Sequence, residues 1–337
     1  MENTYFYLYS LSTLVIIIIL FIKFSTRNKR SRLPPSPPSL PFIGHLHLLK
    51  EPIHRTLQSL SNKYGKVLLL NCGSRTILLV SSPSAAEECF TKNDIVFANR
   101  PHTLAGKHFH YDHSTVASAS YGDHWRNLRR VMTLELFSSS RLAAYSTVRQ
   151  DEIRLSVSEI KQSCEQGTRK IDLKSKFTEL SFNVMTMILV GKRFYGDNVE
   201  DFGEAQRIRE VIRAAIHLCG AANMGDFLPF VNSMDILGVE KKMVGLMAKM
   251  DKFLQDLIEE RRRVLSENSA TERESKKLVI DSLLGLQETD SGFFTDEVIK
   301  GTTMVSIYIC TKLYMICFVL CFQMNLYLMI GIYLYES

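Results

Sequence analysis

Between Tyr5 and Ile22 the chain carries no charged side chain, and Leu14-Val15-Ile16-Ile17-Ile18-Ile19-Leu20-Phe21 is apolar throughout. About 20 such residues cross a bilayer as a helix, so this run is just long enough to do so. Tyr5, Phe6, Tyr7 and Tyr9 would form an aromatic belt at one interface, and Lys23, Arg27, Lys29, Arg30 and Arg32 follow on the other side. Basic residues behind the run predict that everything after Lys23 stays in the cytosol. A cleaved signal peptide would carry its charge before the apolar stretch and small residues after it. The order here is the reverse, which favours an uncleaved single-pass membrane anchor over residues 1–24.

Leu33-Pro34-Pro35-Ser36-Pro37-Pro38-Ser39-Leu40-Pro41 comes next. Proline fixes φ and has no N–H to donate, so this stretch is extended and semi-rigid. It is either a spacer or a strut that sets how a domain leans on the membrane. Residues 25–50 therefore read as a basic stop and hinge, with a folded domain over 51–305 and a hydrophobic tail over 306–337.

Composition bounds what that domain can be. At 337 residues, 46% hydrophobic and 23% charged, the chain is globular rather than disordered. A net charge of +6, with no dense basic run interleaved with aromatics beyond the N-terminal region, argues against nucleic acid as a partner. Seven scattered cysteines (Cys72, Cys89, Cys164, Cys219, Cys310, Cys317 and Cys321) fit neither a zinc knuckle nor a secreted disulfide framework. A reducing compartment with mostly buried thiols suits them.

The element pattern is mainly α with a small N-terminal β-sheet. His54, Leu57, Leu60, Ser61 and Tyr64 recur at helical spacing. Val67–Leu70 and Ile77–Val80 flank Asn71-Cys72-Gly73-Ser74-Arg75 and predict a hairpin. Ser82-Pro83 supplies an N-cap and a first-turn proline for a helix through Phe90. Further helices are expected over 123–136, 141–166, 172–190, 200–219 and 239–263. The last carries an apolar stripe of Met243, Leu246, Met247, Met250, Phe253, Leu254, Leu257 and Ile258, with Glu259 to Arg263 expected in solvent. Residues 265–280 read as a polar loop.

Tyr121-Gly122-Asp123-His124-Trp125-Arg126-Asn127-Leu128-Arg129-Arg130 is the most informative stretch. Trp125 and Arg129 stand at i and i+4, on one face of a helix. An indole N–H and a guanidinium directed the same way make a clamp for a carboxylate. A packed tryptophan beside a solvated arginine is the plain reading of that spacing by itself. In context the stretch resembles the helix of cytochrome P450 enzymes whose Trp and Arg bind the haem propionates. Four more blocks resemble that family in order: Pro34–Leu49, Phe97-Ala98-Asn99-Arg100-Pro101, Asp226-Phe227-Leu228-Pro229, and Phe294-Thr295-Asp296-Glu297-Val298-Ile299-Lys300-Gly301. Their wording is similar to the plant group that includes isoflavone hydroxylases.

The resemblance implies a cytochrome P450 fold behind a transmembrane helix and haem as cofactor, with Trp125 and Arg129 as the haem contacts. It places residues 101–116 over the substrate. His108, His110 and His113 lie in that stretch and suggest a metal, but no further ligand at suitable spacing backs them.

The resemblance stops after Val305. No acid–threonine turn, Glu-x-x-Arg brace or Phe-x-x-Gly-x-Arg-x-Cys-x-Gly loop follows in the chain. The fold is therefore expected to be incomplete, without the haem-thiolate half, and no catalytic residue is assigned. Leu313 to Leu334 has no charge and is long enough for a second membrane helix. Its composition equally fits translation of an A/T-rich intron, or the tail of a genuine truncated product. The intact protein is expected in the endoplasmic reticulum membrane, taking electrons from a reductase and oxygenating a small lipophilic metabolite. The chain as written is expected to be inactive. The alternative is a non-enzymatic membrane module that binds a reductase or partner oxidase through Arg126 and Arg130.

Overall fold

The computed structural model describes residues 7, 9–19, 33–165, 167, 171–196, 199, 201–220, 223–229, 235, 238–267 and 278–308. They belong to two compact units, one of residues 1–98 with 223–236, the other of 99–222 with 237–337. Of the uncharged N-terminal run, residues 7 and 9–19 are helical and exposed, and the remainder lies outside the described residues. Among the described residues no helix is long and apolar enough to cross a membrane. Of the hydrophobic tail only residues 306–308 are described.

The first unit holds helix α1 (Ile53–Tyr64), strands β1 (Val67–Cys72) and β2 (Arg75–Val80), and helices α2 (Pro83–Phe90) and α3 (Asp94–Phe97). Alternation along β1 buries Leu68, Leu70 and Cys72 on one face. The hairpin is longer than its apolar runs suggested: Cys72 pairs with Arg75, so the turn is only Gly73-Ser74. Gly73 sits at φ 59°, as such a tight turn requires, and a Cβ there would meet the Phe227 carbonyl. That carbonyl accepts from the Ser74 N–H at 2.8 Å and from its hydroxyl at 3.0 Å. The Asp226–Pro229 block thus packs on the hairpin turn. Ser82 caps α2 as its sequence foretold, accepting from the Ala85 N–H at 3.4 Å.

The proline stretch is keyed to the hairpin by His45, which is fully buried. The Asn71 amide can only donate, so its 2.8 Å contact makes His45 Nδ1 the acceptor. The ring proton then sits on Nε2 and is donated to the Pro37 carbonyl at 2.8 Å. Leu69 N–H completes the attachment with a 3.0 Å bond to the Pro35 carbonyl.

The second unit is helical: α4 (Leu104–Phe109), α5 (Asp123–Glu135), α6 (Ser139–Ala144), α7 (Ser146–Glu165), α8 (Leu173–Leu189), α9 (Phe202–Gly220), α10 (Val239–Glu267), α11 (Val279–Thr289) and α12 (296–308). Helix α7 packs on α8, and α10 packs on α9, α4 and α11. The stripe of α10 buries Met243, Met250, Phe253, Leu254, Leu257 and Ile258 as its periodicity required, while Leu246 and Met247 are only partly covered. From Ile299 to Tyr308 every residue of α12 is buried, including Lys300, Thr302, Thr303 and Ser306. Thr303 and Ser306 hide their hydroxyls by donating back to the carbonyls of Ile299 and Thr302. A helix covered all round is a central element.

Two expectations need correction. The helix expected over 141–166 is two helices, broken at Tyr145, whose ring is buried. The charged run Glu259–Arg263 does not simply close α10 in solvent. Arg261 grips Asp281 of α11, and Arg262 pairs with Asp296 of α12 at 2.5 Å and donates to Gln287 of α11 at 2.7 Å. The Arg262 bonds, then those of Gln287 and Gln255, hold the Asp296 carboxyl far below the usual carboxylate range.

Candidate functional site

Helix α5 buries Leu128, Val131 and Met132, which turns Arg126, Arg129 and Arg130 outward. Trp125 is half-buried on the boundary between the two faces. The i, i+4 spacing brings the Arg129 guanidinium to 5.1 Å from the centroid of the indole ring. The indole N–H, however, donates to the Val116 carbonyl at 3.1 Å. One turn of helix therefore presents a cation stacked on an aromatic face, while the second donor of the expected clamp holds the preceding loop.

That loop is tied down at several points. His124 Nε2 bonds the Ser114 carbonyl at 2.6 Å. His108 Nε2 and Lys107 Nζ both reach Glu240 Oε1, at 2.7 Å and 3.1 Å. The hydrogen bond from His108, then that from Lys107, lowers the Glu240 carboxyl below its ordinary value. His110 Nδ1 pairs with the Thr115 hydroxyl at 2.8 Å. Burial, and then nearby His113, pushes the His110 imidazole down to about 4, so it is neutral at physiological pH. The His113 ring packs edge-on against His102 at 4.4 Å. The three imidazoles of His108, His110 and His113 therefore turn to separate partners. Among the described residues no group of three or more His, Cys, Asp or Glu is arranged to hold a metal.

Tyr111 reaches across to α10, where its hydroxyl donates to Asp251 Oδ1 at 2.7 Å. The same oxygen accepts from Lys300 of α12 at 2.6 Å. Burial first, then the bond to Asp251, raises the Tyr111 phenol far above its ordinary value. Sequence reasoning missed Tyr111, Asp251, Lys300 and His124. The first three are brought together only by the fold, and no local spacing announces them.

The family profile described as Cytochrome P450 matches residues 34–308. The chain belongs to the cytochrome P450 family. It is similar to "Cytochrome P450 81Q32" of Catharanthus roseus, at 46% identity over 79% of this chain and 51% of the relative. It is also similar to "Isoflavone 3'-hydroxylase" of Medicago truncatula, at 43% identity over 78% of this chain and 52% of the relative. With "Isoflavone 2'-hydroxylase" of Glycyrrhiza echinata it shares 39% identity over 79% of this chain and 52% of the relative. The chain spans about half the length of the curated relatives it matches.

The family implies haem. Of its binding needs, the residues present fit one edge: Arg129 is exposed and carries the charge a propionate would pair with. Trp125 could join it only by leaving the Val116 carbonyl. The axial thiolate has no counterpart among the described cysteines. Cys72 is buried in the hairpin, where burial raises its thiol above the ordinary value, and Cys89, Cys164 and Cys219 fall outside the family's loop pattern. The fit to haem is therefore partial.

Proposed function

We propose that this chain is the N-terminal part of a haem-thiolate monooxygenase of the endoplasmic reticulum membrane that hydroxylates a small lipophilic plant metabolite of the isoflavonoid kind. Arg129 stacked on Trp125 is the observation that supports the reading, because it sets a cation beside an aromatic face on the helix that resembles the family's propionate-binding one. When bound, haem supplies the redox centre at which dioxygen is activated, with the thiolate pushing electron density toward it. Arg129 would orient the cofactor by its acidic edge. The loop over 101–116 would close the substrate side, and buried α12 would form the floor beside it. The uncharged Tyr5–Ile22 run would anchor the protein, leaving the domain in the cytosol to meet a membrane reductase. Isoflavone hydroxylases among the relatives support the substrate class. The family-type cysteine loop would lie in the half of the relatives' length that these 337 residues do not span.

The test joins a transcript to a spectrum. The cDNA is sequenced across codon 305, and the encoded protein is expressed, reduced and exposed to CO. A transcript that enters an exon for the acid–threonine turn and cysteine loop should yield a protein with the thiolate Soret band. The 337-residue chain supplied with haem should not show it. A thiolate band from the 337-residue chain, or none from the longer product, overturns the reading. No specific contact favours the partner-module alternative: Arg126 pairs with Asp123 at 2.5 Å on its own helix, and Arg130 is exposed.

A further inference from the structure

Tyr111, Asp112 and His113 follow one another at φ 47°, 50° and 62°, in the left-handed region that L residues avoid. Asp and His enter that region more readily than most residues, whereas a bulky tyrosine rarely does. Such a run persists only where its surroundings over-determine it. Backbone bonds begin the work: Asp112 N–H donates to the Lys107 carbonyl at 3.0 Å and His113 N–H to that of Gly106 at 3.1 Å. The His113 ring fills the space beside Gly106, where a Cβ would come within 2.3 Å of it.

Tyr111 is held from the other side. Its ring lies against Gly301, whose Cβ, if present, would sit 3.4 Å from Cδ2. Its hydroxyl shares Asp251 Oδ1 with the Lys300 ammonium, which also stands 5.6 Å from the centroid of the Tyr111 ring. The Lys300 side chain is only 9% exposed, so Asp251 is both its counter-charge and the acceptor for the strained tyrosine. One carboxylate oxygen thus ties the loop to two helices.

We propose that Asp251 is a positioning residue for the ligand-facing loop. By accepting from Tyr111 and Lys300 together it fixes where residues 110–116 stand, and so which of their side chains meet a ligand. This rests on the reading of 101–116 as the roof over a lipophilic substrate.

Tyr111→Phe removes the hydroxyl alone and leaves the buried ion pair intact, so the full chain keeps its fold. The double substitution Asp251→Ala with Lys300→Met removes the acceptor without leaving a lone buried charge. Hydrogen exchange on the full chain should run roughly tenfold faster at the Asp112 and His113 amides in Tyr111→Phe, the loss of about one hydrogen bond, with the α10 amides unchanged. The Asp251/Lys300 double variant should loosen the same amides, and adding Tyr111→Phe to it should loosen them no further. Trp125 emission reports the same event, because its N–H holds Val116. Unchanged exchange at Asp112 and His113 in Tyr111→Phe overturns the proposal, as do additive effects in the triple variant. An isoflavone titrated against Trp125 emission should bind more weakly once the loop is loosened. Equal affinity with a loosened loop overturns the positioning role. No binding even to the unsubstituted chain overturns the substrate reading, while hydrogen exchange still judges the tie itself.

Discussion

Arg261 holds Asp281 with both arms of its fork, Nε to one carboxylate oxygen at 2.6 Å and Nη2 to the other at 2.9 Å. Asp281 is nearly buried and also accepts from the Leu278 N–H at 3.0 Å, which starts α11. Removing one partner strands the other's charge. Asp281→Ala should therefore lower stability by about 3–5 kcal/mol in urea unfolding. The paired replacement Arg261→Met with Asp281→Leu should recover most of that loss, since apolar side chains of similar volume often replace such a pair without cost.

Gly245 and Gly301 both lie inside helices, and the same substitution should move stability in opposite directions. At Gly245 a Cβ meets nothing within 4 Å, so Gly245→Ala should stabilise by about 0.5–1 kcal/mol through helix propensity alone. At Gly301 a Cβ would stand 2.9 Å from Thr115 Cγ2 and 3.4 Å from the Tyr111 ring. Gly301→Ala should instead cost about 1–3 kcal/mol by overpacking. Thermal melts of the two variants, run side by side, check the signs.

How much of this was legible depended on range. Ser82-Pro83 announced α2 because capping is local chemistry, and the α10 stripe announced itself because burial repeats every turn. The break at Tyr145 was hidden, since one non-helical residue barely disturbs the periodicity on either side. Arg261 and Arg262 read as solvated because a charge run usually is, and their acceptors at Asp281 and Asp296 lie far along the chain. The face shared by Trp125 and Arg129 followed from helical spacing. That the indole N–H would turn to Val116 did not, because a loop carbonyl has no sequence signature.

His45 should be the residue on which the proline segment depends. Without its ring, the half-buried Asn71 N–H loses its acceptor and the buried Pro37 carbonyl its shorter donor, leaving only the Ser36 hydroxyl at 3.4 Å. His45→Ala is expected to cost about 1–3 kcal/mol, the loss of two hydrogen bonds of which one partner is buried. Limited proteolysis should then cut within residues 33–49 at protease levels that leave the parent chain intact. Equal resistance in the two chains would refute the assignment.

Acid should destabilise the loop through His110 before it titrates ordinary carboxylates. The ring is held neutral in the fold, with its pKa pushed down to about 4 by burial and His113, against 6.5 for the unperturbed group. Between those values the unfolded chain binds a proton that the folded chain refuses, so stability falls as pH is lowered. The contribution is complete above pH 6.5 and declines toward pH 4, by at most about 3 kcal/mol. Urea midpoints at pH 7, 6 and 5 should show this slope, and His110→Asn should flatten it.

Arg129 gives the most direct check on the cofactor edge, because its role and its structural burden separate cleanly. The guanidinium is exposed, so Arg129→Gln should leave the stability measured by urea unfolding within about 0.5 kcal/mol of the parent. Trp125 lies beside it and reports on anything that docks there, since it is the only tryptophan in the chain. Haemin titrated into the full chain should quench Trp125 emission, and Arg129→Gln should weaken that binding roughly tenfold or more, as loss of a charge-assisted hydrogen bond requires. Arg129→Lys keeps the charge but not the planar fork, and should fall between the two. If Arg129→Gln binds haemin as tightly as the parent, the stacked pair is a packing feature of α5 and not a propionate contact.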